Sequence, residues 1–148
     1  MTTLTIEENI LKYENFINDV LKEDLKKLEQ QLIKLNGEIS DLIQQRHTLK
    51  VITDKKNHPN GFKTQVNLGS NFFMEAVVPD TSKMLINIGL NIFVEFSEKE
   101  AIKYLDTLIK AYEKKGEELN SKVAATKAHI KLMLIGLDEL INESIKPT

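Results

Sequence analysis

Phe62-Lys63-Thr64-Gln65-Val66-Asn67-Leu68, Phe72-Phe73-Met74-Glu75-Ala76-Val77-Val78, Met84-Leu85-Ile86-Asn87-Ile88 and Ile92-Phe93-Val94-Glu95-Phe96 are the four runs whose reading decides the fold. Each alternates apolar and polar residues, and residues two apart along a strand share a face. One face therefore collects Phe62, Val66, Leu68, Phe72, Met74, Ala76, Val78, Met84, Ile86, Ile88, Ile92, Val94 and Phe96. The breaks between runs are Gly69-Ser70-Asn71, Pro79-Asp80-Thr81-Ser82 and Gly89-Leu90-Asn91. Gly and Asn tolerate positive φ, and Pro-Asp-Thr-Ser suits a fixed turn with side-chain capping. Short turns after the first and third runs predict two antiparallel hairpins.

The opposite face is also apolar in places, at Phe73, Val77, Leu85 and Phe93. Four strands cannot bury two apolar faces against each other within one chain, and bare hairpins are marginal in water. Either the hairpins pack only on their own helices, or this region is an assembly surface completed by strands of other subunits.

Working outward, both flanks read as long helices, so the fold class is α+β. Thr5 and Glu8 have the spacing of a capping box, which predicts a helix from about Ile6 to Lys56. Its apolar seam runs Ile10, Tyr13, Ile17, Val20, slips by one residue, and resumes as Leu21, Leu25, Leu28, Leu32, Leu35, Ile39, Leu42 and Leu49, with Arg46 in the expected place between the last two. Alternating steps of three and four mark a left-handed coiled coil, and the slip resembles a register discontinuity. Asn57-His58-Pro59-Asn60-Gly61 is expected to stop this helix through Pro59. After the hairpins, Ser97 and Glu100 form a second capping box, with Phe96 placed to staple the first turn. The second helix is expected over 98–145, with the seam Ile102, Leu105, Ile109, Tyr112, Gly116, Leu119, Val123, Thr126, Ile130, Met133, Leu137 and Leu140.

Two such helices should fold back antiparallel, bringing Leu49 near Leu105 and Val20 near Ile135. The open end would carry Leu4, Ile6, Ile10, Leu11 and Ile17 against Leu137, Leu140, Ile141 and Ile145. Excess apolar residues there suit either a binding tip or a zipped coiled-coil end.

The 148 residues are expected to form a single domain, 1–148. No apolar run approaches the roughly 20 residues of a membrane span, and the N-terminus lacks the pattern of a signal peptide. A cytosolic or nuclear protein is expected. With 20 basic and 22 acidic side chains interspersed, the surface lacks the one-signed patch of a nucleic-acid binder. Cysteine is absent, and His47, His58 and His129 have no second ligand at metal spacing, so no metal or cofactor site is expected. No phosphate-binding glycine loop, nucleophile elbow or paired acid/base motif occurs. The chain does not read as an enzyme.

The helix–two hairpins–helix plan resembles an α-type prefoldin subunit, and Met84-Leu85-Ile86-Asn87-Ile88-Gly89-Leu90-Asn91-Ile92-Phe93-Val94-Glu95 is similar to that family's strand–Gly turn–strand ending in Glu. Asn87 stands where the family often has Asp, and Asn91 where it has a second glycine. Tyr13-Glu14-Asn15-Phe16-Ile17-Asn18-Asp19-Val20-Leu21, Val66-Asn67-Leu68-Gly69-Ser70-Asn71-Phe72-Phe73, Val77-Val78-Pro79-Asp80-Thr81-Ser82 and Lys127-Ala128-His129-Ile130 resemble one prefoldin-like branch.

What the resemblance implies is a hetero-oligomer of two α-type and four β-type subunits, whose hairpins form a double β-barrel. Val66, Leu68, Phe72, Phe73, Val77, Leu85, Ile86, Ile88, Ile92, Phe93 and Val94 would then make barrel and subunit contacts. It also implies ATP-independent holding of unfolded or partly assembled clients at the coiled-coil tips, with no direct nucleic-acid or membrane partner. For the branch it implies roles in complex assembly, transcriptional co-regulation and at centrosomes. A scaffold or transcriptional cofactor binding one defined protein through a coiled-coil arm is the rival reading.

Overall fold

The computed structural model describes the backbone of residues 2–145 and side chains from residue 5 onward. The element order is α1 (Thr2–Asn15), a π-helix (Phe16–Leu21), α2 (Lys22–Thr53), β1 (Phe62–Gly69), β2 (Phe72–Val78), β3 (Lys83–Asn87), β4 (Phe93–Ser97) and α3 (Glu98–Ile145). Two compact units share these elements: residues up to Gly37 with those from Lys114 onward, and Glu38–Glu113.

In the first unit the expected slip has a physical form. The Lys22 N–H donates to the Ile17 carbonyl, five residues back, so the helix widens by one residue instead of breaking. The turn carries the seam from Ile17, 2% exposed, directly to buried Leu21, and leaves Val20 in solvent. Val20 and Ile135, expected to lie near each other, are both exposed. Ile17, Leu21, Leu35, Leu119, Val123 and Leu137 take the buried places, and a 2.8 Å Lys127–Glu29 ion pair links the two helical segments.

Deleting Asp19 would shorten the Ile17-to-Leu21 step from four residues to three and restore an unbroken three–four alternation. The deletion is expected to give an uninterrupted α-helix and to raise the melting temperature by about 2–4 °C. A lower melting temperature by circular dichroism would show that the π turn makes contacts worth more than the regular helix.

Both predicted ends of the first helix are corrected. It begins at Thr2, not near Ile6, because no Pro or Gly before Thr5 stops it. It ends at Thr53, not Lys56, and the stop is Asp54 rather than Pro59. One Asp54 carboxylate oxygen accepts the Lys56 N–H at 3.0 Å and the other accepts the Asn57 side-chain amide at 2.8 Å. These bonds give the chain a local alternative to the helix ladder.

The second unit is built on Leu49, Ala101 and Leu105, with Leu42, Ile52, Met84, Ile86, Phe96 and Ile102 packed around them. Leu49 thus meets Leu105 as expected. Arg46 keeps its seam position by pairing with Asp106. β1 pairs antiparallel with β2, and β3 with β4, each as a two-stranded sheet.

At the start of α3, Glu100 accepts the Ser97 N–H at 2.9 Å and the Ser97 hydroxyl at 2.8 Å. Phe96 packs against the cluster containing Ala101 and stacks on Tyr104 at 5.4 Å, which completes the expected staple. The Ser97 N–H, and after it the hydroxyl, holds the Glu100 carboxyl below its ordinary value of 4.5. A depressed carboxyl contributes stability that is fully present above 4.5 and lost as pH falls through the folded-state value. The wild-type chain should therefore lose more stability on acidification below pH 4.5 than Glu100→Gln, as read from melting temperatures across that range.

Candidate assembly interface

The strand registers sort the hairpin side chains onto two faces. Phe62↔Val78, Thr64↔Ala76 and Val66↔Met74 share one face of hairpin 1, and Met84↔Phe96 and Ile86↔Val94 share one face of hairpin 2. On the other face lie Lys63↔Val77, Gln65↔Glu75 and Asn67↔Phe73, then Lys83↔Ser97, Leu85↔Glu95 and Asn87↔Phe93.

The first face is covered only near the helices. Phe62, Ala76, Val78, Met84, Val94 and Phe96 are half-buried, whereas Val66, Leu68, Phe72, Met74, Ile88 and Ile92 are exposed. On the second face Phe73 is 59% and Phe93 58% exposed, with Val77 and Leu85 also in solvent. The turn-proximal parts of both hairpins therefore present apolar side chains on both sides.

Of the strand residues expected at subunit contacts, Ile86 packs into the chain's own core and Val94 is half-buried. The rest stand exposed. Ile86 differs because its face turns towards Leu49 and Leu105, a tertiary detail that alternation alone does not carry.

The two hairpins are copies of one pattern at an offset of 20 residues: Lys63/Lys83, Val66/Ile86, Asn67/Asn87, Gly69/Gly89, Asn71/Asn91, Phe73/Phe93 and Glu75/Glu95. The geometry repeats with the residues. Lys63 pairs with Glu75 at 2.9 Å and Lys83 with Glu95 at 2.8 Å, and the latter contact raises the Lys83 pKa. Asn67 accepts the Gly69 N–H at 2.8 Å and Asn87 the Gly89 N–H at 2.9 Å. Asn87 thus does at the turn what an aspartate oxygen would do.

After Gly69 (φ 101°) or Gly89 (φ 119°), the two central residues of each turn are also at positive φ, Ser70 (50°) and Asn71 (62°), or Leu90 (50°) and Asn91 (59°). Positive φ at both central positions is the signature of a type I′ turn, whose twist matches the strands. This repeat was not among the expectations from sequence, although self-comparison at a fixed offset would have revealed it.

Between the hairpins, Asp80 accepts the Ser82 N–H and hydroxyl, each at 2.9 Å. The Ser82 N–H is the main reason the Asp80 carboxyl lies below its ordinary value.

The residues expected at the helix tip are placed unevenly. Ile17 and Leu137 are buried, Ile6, Ile10, Leu140 and Ile141 half-buried, and Leu11 and Ile145 exposed. Leu4 lies on α1, but its side chain is outside the described residues. Additional apolar exposure in this unit comes from Tyr13, Phe16, Val20, Leu132, Leu134 and Ile135. Phe16, in the π-helix, meets His129 edge-on at 6.4 Å.

Among the described residues no group of three or more His, Cys, Asp or Glu is placed to hold a metal ion, and no helix is long and apolar enough to cross a membrane.

Long helices bracketing two antiparallel hairpins define a prefoldin-type subunit. The prefoldin subunit family model matches residues 5–143, and the chain belongs to the prefoldin family. Within that family it is 35% identical to Protein UXT of Homo sapiens over 133 residues, covering 90% of this chain and 83% of that one. It is also 32% identical to Prefoldin subunit 3 of Mus musculus over 74 residues, 50% of this chain and 38% of that one. Among solved structures it is similar to filamentous PFD from Methanocaldococcus jannaschii, with a TM-score of 0.69, 25% identity, and coverage of 82% of this chain and 98% of that one.

Proposed function

We propose that this chain is a non-catalytic subunit of a hetero-oligomeric prefoldin-like co-chaperone. Its hairpins join β-type subunits and a second α-type subunit, and the apolar surface of its helical ends holds unfolded or partly assembled proteins without ATP. The observation that carries this reading is the pair of Phe73 and Phe93, repeated at equivalent places and both exposed on the face turned away from the chain's own core. Uncovered apolar residues on two-stranded sheets call for strands or side chains from elsewhere. The complex we propose is prefoldin-like rather than general prefoldin and works in the cytosol and nucleus, as the resemblance of the sequence to that branch implies.

Native mass spectrometry of the chain, alone and co-expressed with β-type prefoldin subunits, tests the assembly. A complex with two copies of this chain and four β-type chains is expected, and indifference to the added subunits would defeat the reading. Suppression of aggregation of several unrelated denatured proteins then tests client holding. A complex that suppresses none of them would favour a scaffold with one defined partner.

A further inference from the structure

The 20-residue repeat creates a problem of choice. At Lys63/Lys83, Asn67/Asn87, Phe73/Phe93 and Glu75/Glu95 the two hairpins offer a partner the same chemistry in the same places. A neighbouring subunit reading only those positions could not tell hairpin 1 from hairpin 2. Specificity is a difference in affinity, so it must come from positions where the copies differ.

The turns are such a position. Hairpin 1 carries Ser70 and hairpin 2 carries Leu90, both at φ 50°. Leu90 is 95% exposed, with nearly all of its apolar surface in water. A bulky side chain is also a poor occupant of the left-handed region, where Gly and Asn sit more easily, as Asn91 does beside it. Leu90 therefore combines two unfavourable features: the Ile92 N–H donating to the Gly89 carbonyl at 2.9 Å closes the turn that holds its backbone there, but its side chain is left in solvent among the described residues. An unfavourable backbone state held at a fully exposed apolar residue points to a function outside the chain. Ile88 and Ile92, which flank the turn on one face of hairpin 2, are exposed as well.

We propose that Leu90 is an interface anchor that fills an apolar recess of the neighbouring prefoldin-type subunit and so distinguishes hairpin 2 from hairpin 1. This rests on the hetero-oligomer reading above. The occupant is a prefoldin-type subunit because the tip is continuous with the exposed strand residues Ile92 and Phe93 of the candidate assembly interface.

The test uses the full-length chain with recombinant β-type prefoldin subunits, and reads melting temperature of the isolated chain and affinity for those subunits side by side. Leu90→Asn is expected to melt at the same or a higher temperature, since Asn suits the turn, yet to bind at least tenfold more weakly. Leu90→Met should keep binding within about threefold, because it retains an apolar side chain of similar volume. Ser70→Asn should leave binding unchanged.

Binding by Leu90→Asn within twofold of wild type would overturn the proposal, as would an equal loss in Ser70→Asn. Weaker binding accompanied by a lower melting temperature would also overturn it, because Leu90 would then act through the fold. So would a dependence on Leu90 confined to self-association of this chain. A wild-type chain that binds no prefoldin-type subunit would defeat the hetero-oligomer reading itself, and this inference with it.

Discussion

Replacing Phe73 and Phe93 together by aspartate is expected to weaken assembly with β-type prefoldin subunits by two to four decades while leaving far-UV circular dichroism unchanged. The helicity should survive because neither ring supports the chain's own core: that core is Leu49, Ala101 and Leu105, with the opposite face of hairpin 2 packed against it. Assembly should fail because each ring buried at an interface contributes about 1.5–3 kcal/mol. The two together come to about 3–6 kcal/mol, and each 1.4 kcal/mol is tenfold in affinity. Aspartate adds the penalty of an unpaired charge in a desolvated place.

The measurement is native mass spectrometry or sedimentation at matched concentrations. Wild-type-like assembly of the double variant would show that this face is not interfacial. The single variants inform as well. If the repeat makes the two rings equivalent anchors, Phe73→Asp and Phe93→Asp should each cost a similar fraction of the total.

Which parts of this could be read from sequence follows from the range of the forces involved. Strand alternation and helix periodicity are local, so the hairpins and both seams were legible. Every position of the α3 seam from Ile102 to Leu140 is buried or half-buried, even Gly116 and Thr126. The slip after Val20 was legible as a change of register. Its resolution was not, because widening one helical turn and breaking the helix leave the same apolar pattern. The helix stop illustrates another limit. Pro59 is the strongest breaker by composition, but Asp54 acts earlier, through hydrogen bonds that an Asp could equally make or forgo.

For the candidate interface, alternation correctly placed Phe73 and Phe93 opposite the core-facing residues. It could not place Ile86 in the core, since that depends on where the helices bring Leu49 and Leu105. The seam does separate Ile17, on it and fully buried, from Leu11, off it and exposed, but it does not separate Ile17 from Tyr13 and Val20, seam positions that stand exposed beside the π turn.

The Gly61→Ala substitution is the severest single change expected in the fold, and it acts on backbone rather than on packing of side chains. Gly61 sits immediately before β1 at φ 80°, in the region L-residues avoid. A Cβ built there would lie 1.8 Å from the Val78 carbonyl oxygen and 2.8 Å from the Pro79 Cα. Neither neighbour is the free end of a flexible side chain, so the Phe62↔Val78 end of the ladder would have to separate to admit a single methyl group. The left-handed backbone costs an L-residue about 1–2 kcal/mol, and forced overpacking about 1–3 kcal/mol more, a total of about 2–5 kcal/mol. Equilibrium urea unfolding should register that loss. Because Phe62 and Val78 are half-buried near Ile52 and Met84 at the base of the hairpin, the damage should spread to the way hairpin 1 is seated on its unit. Gly61→Ala should therefore also weaken assembly, but in the opposite pattern to the Phe73/Phe93 variant: isolated-chain stability falls first, and affinity falls as a consequence. An alanine variant as stable as wild type would show that the Val78–Pro79 backbone yields freely, and would make the tight approach of Gly61 incidental to the seating of hairpin 1.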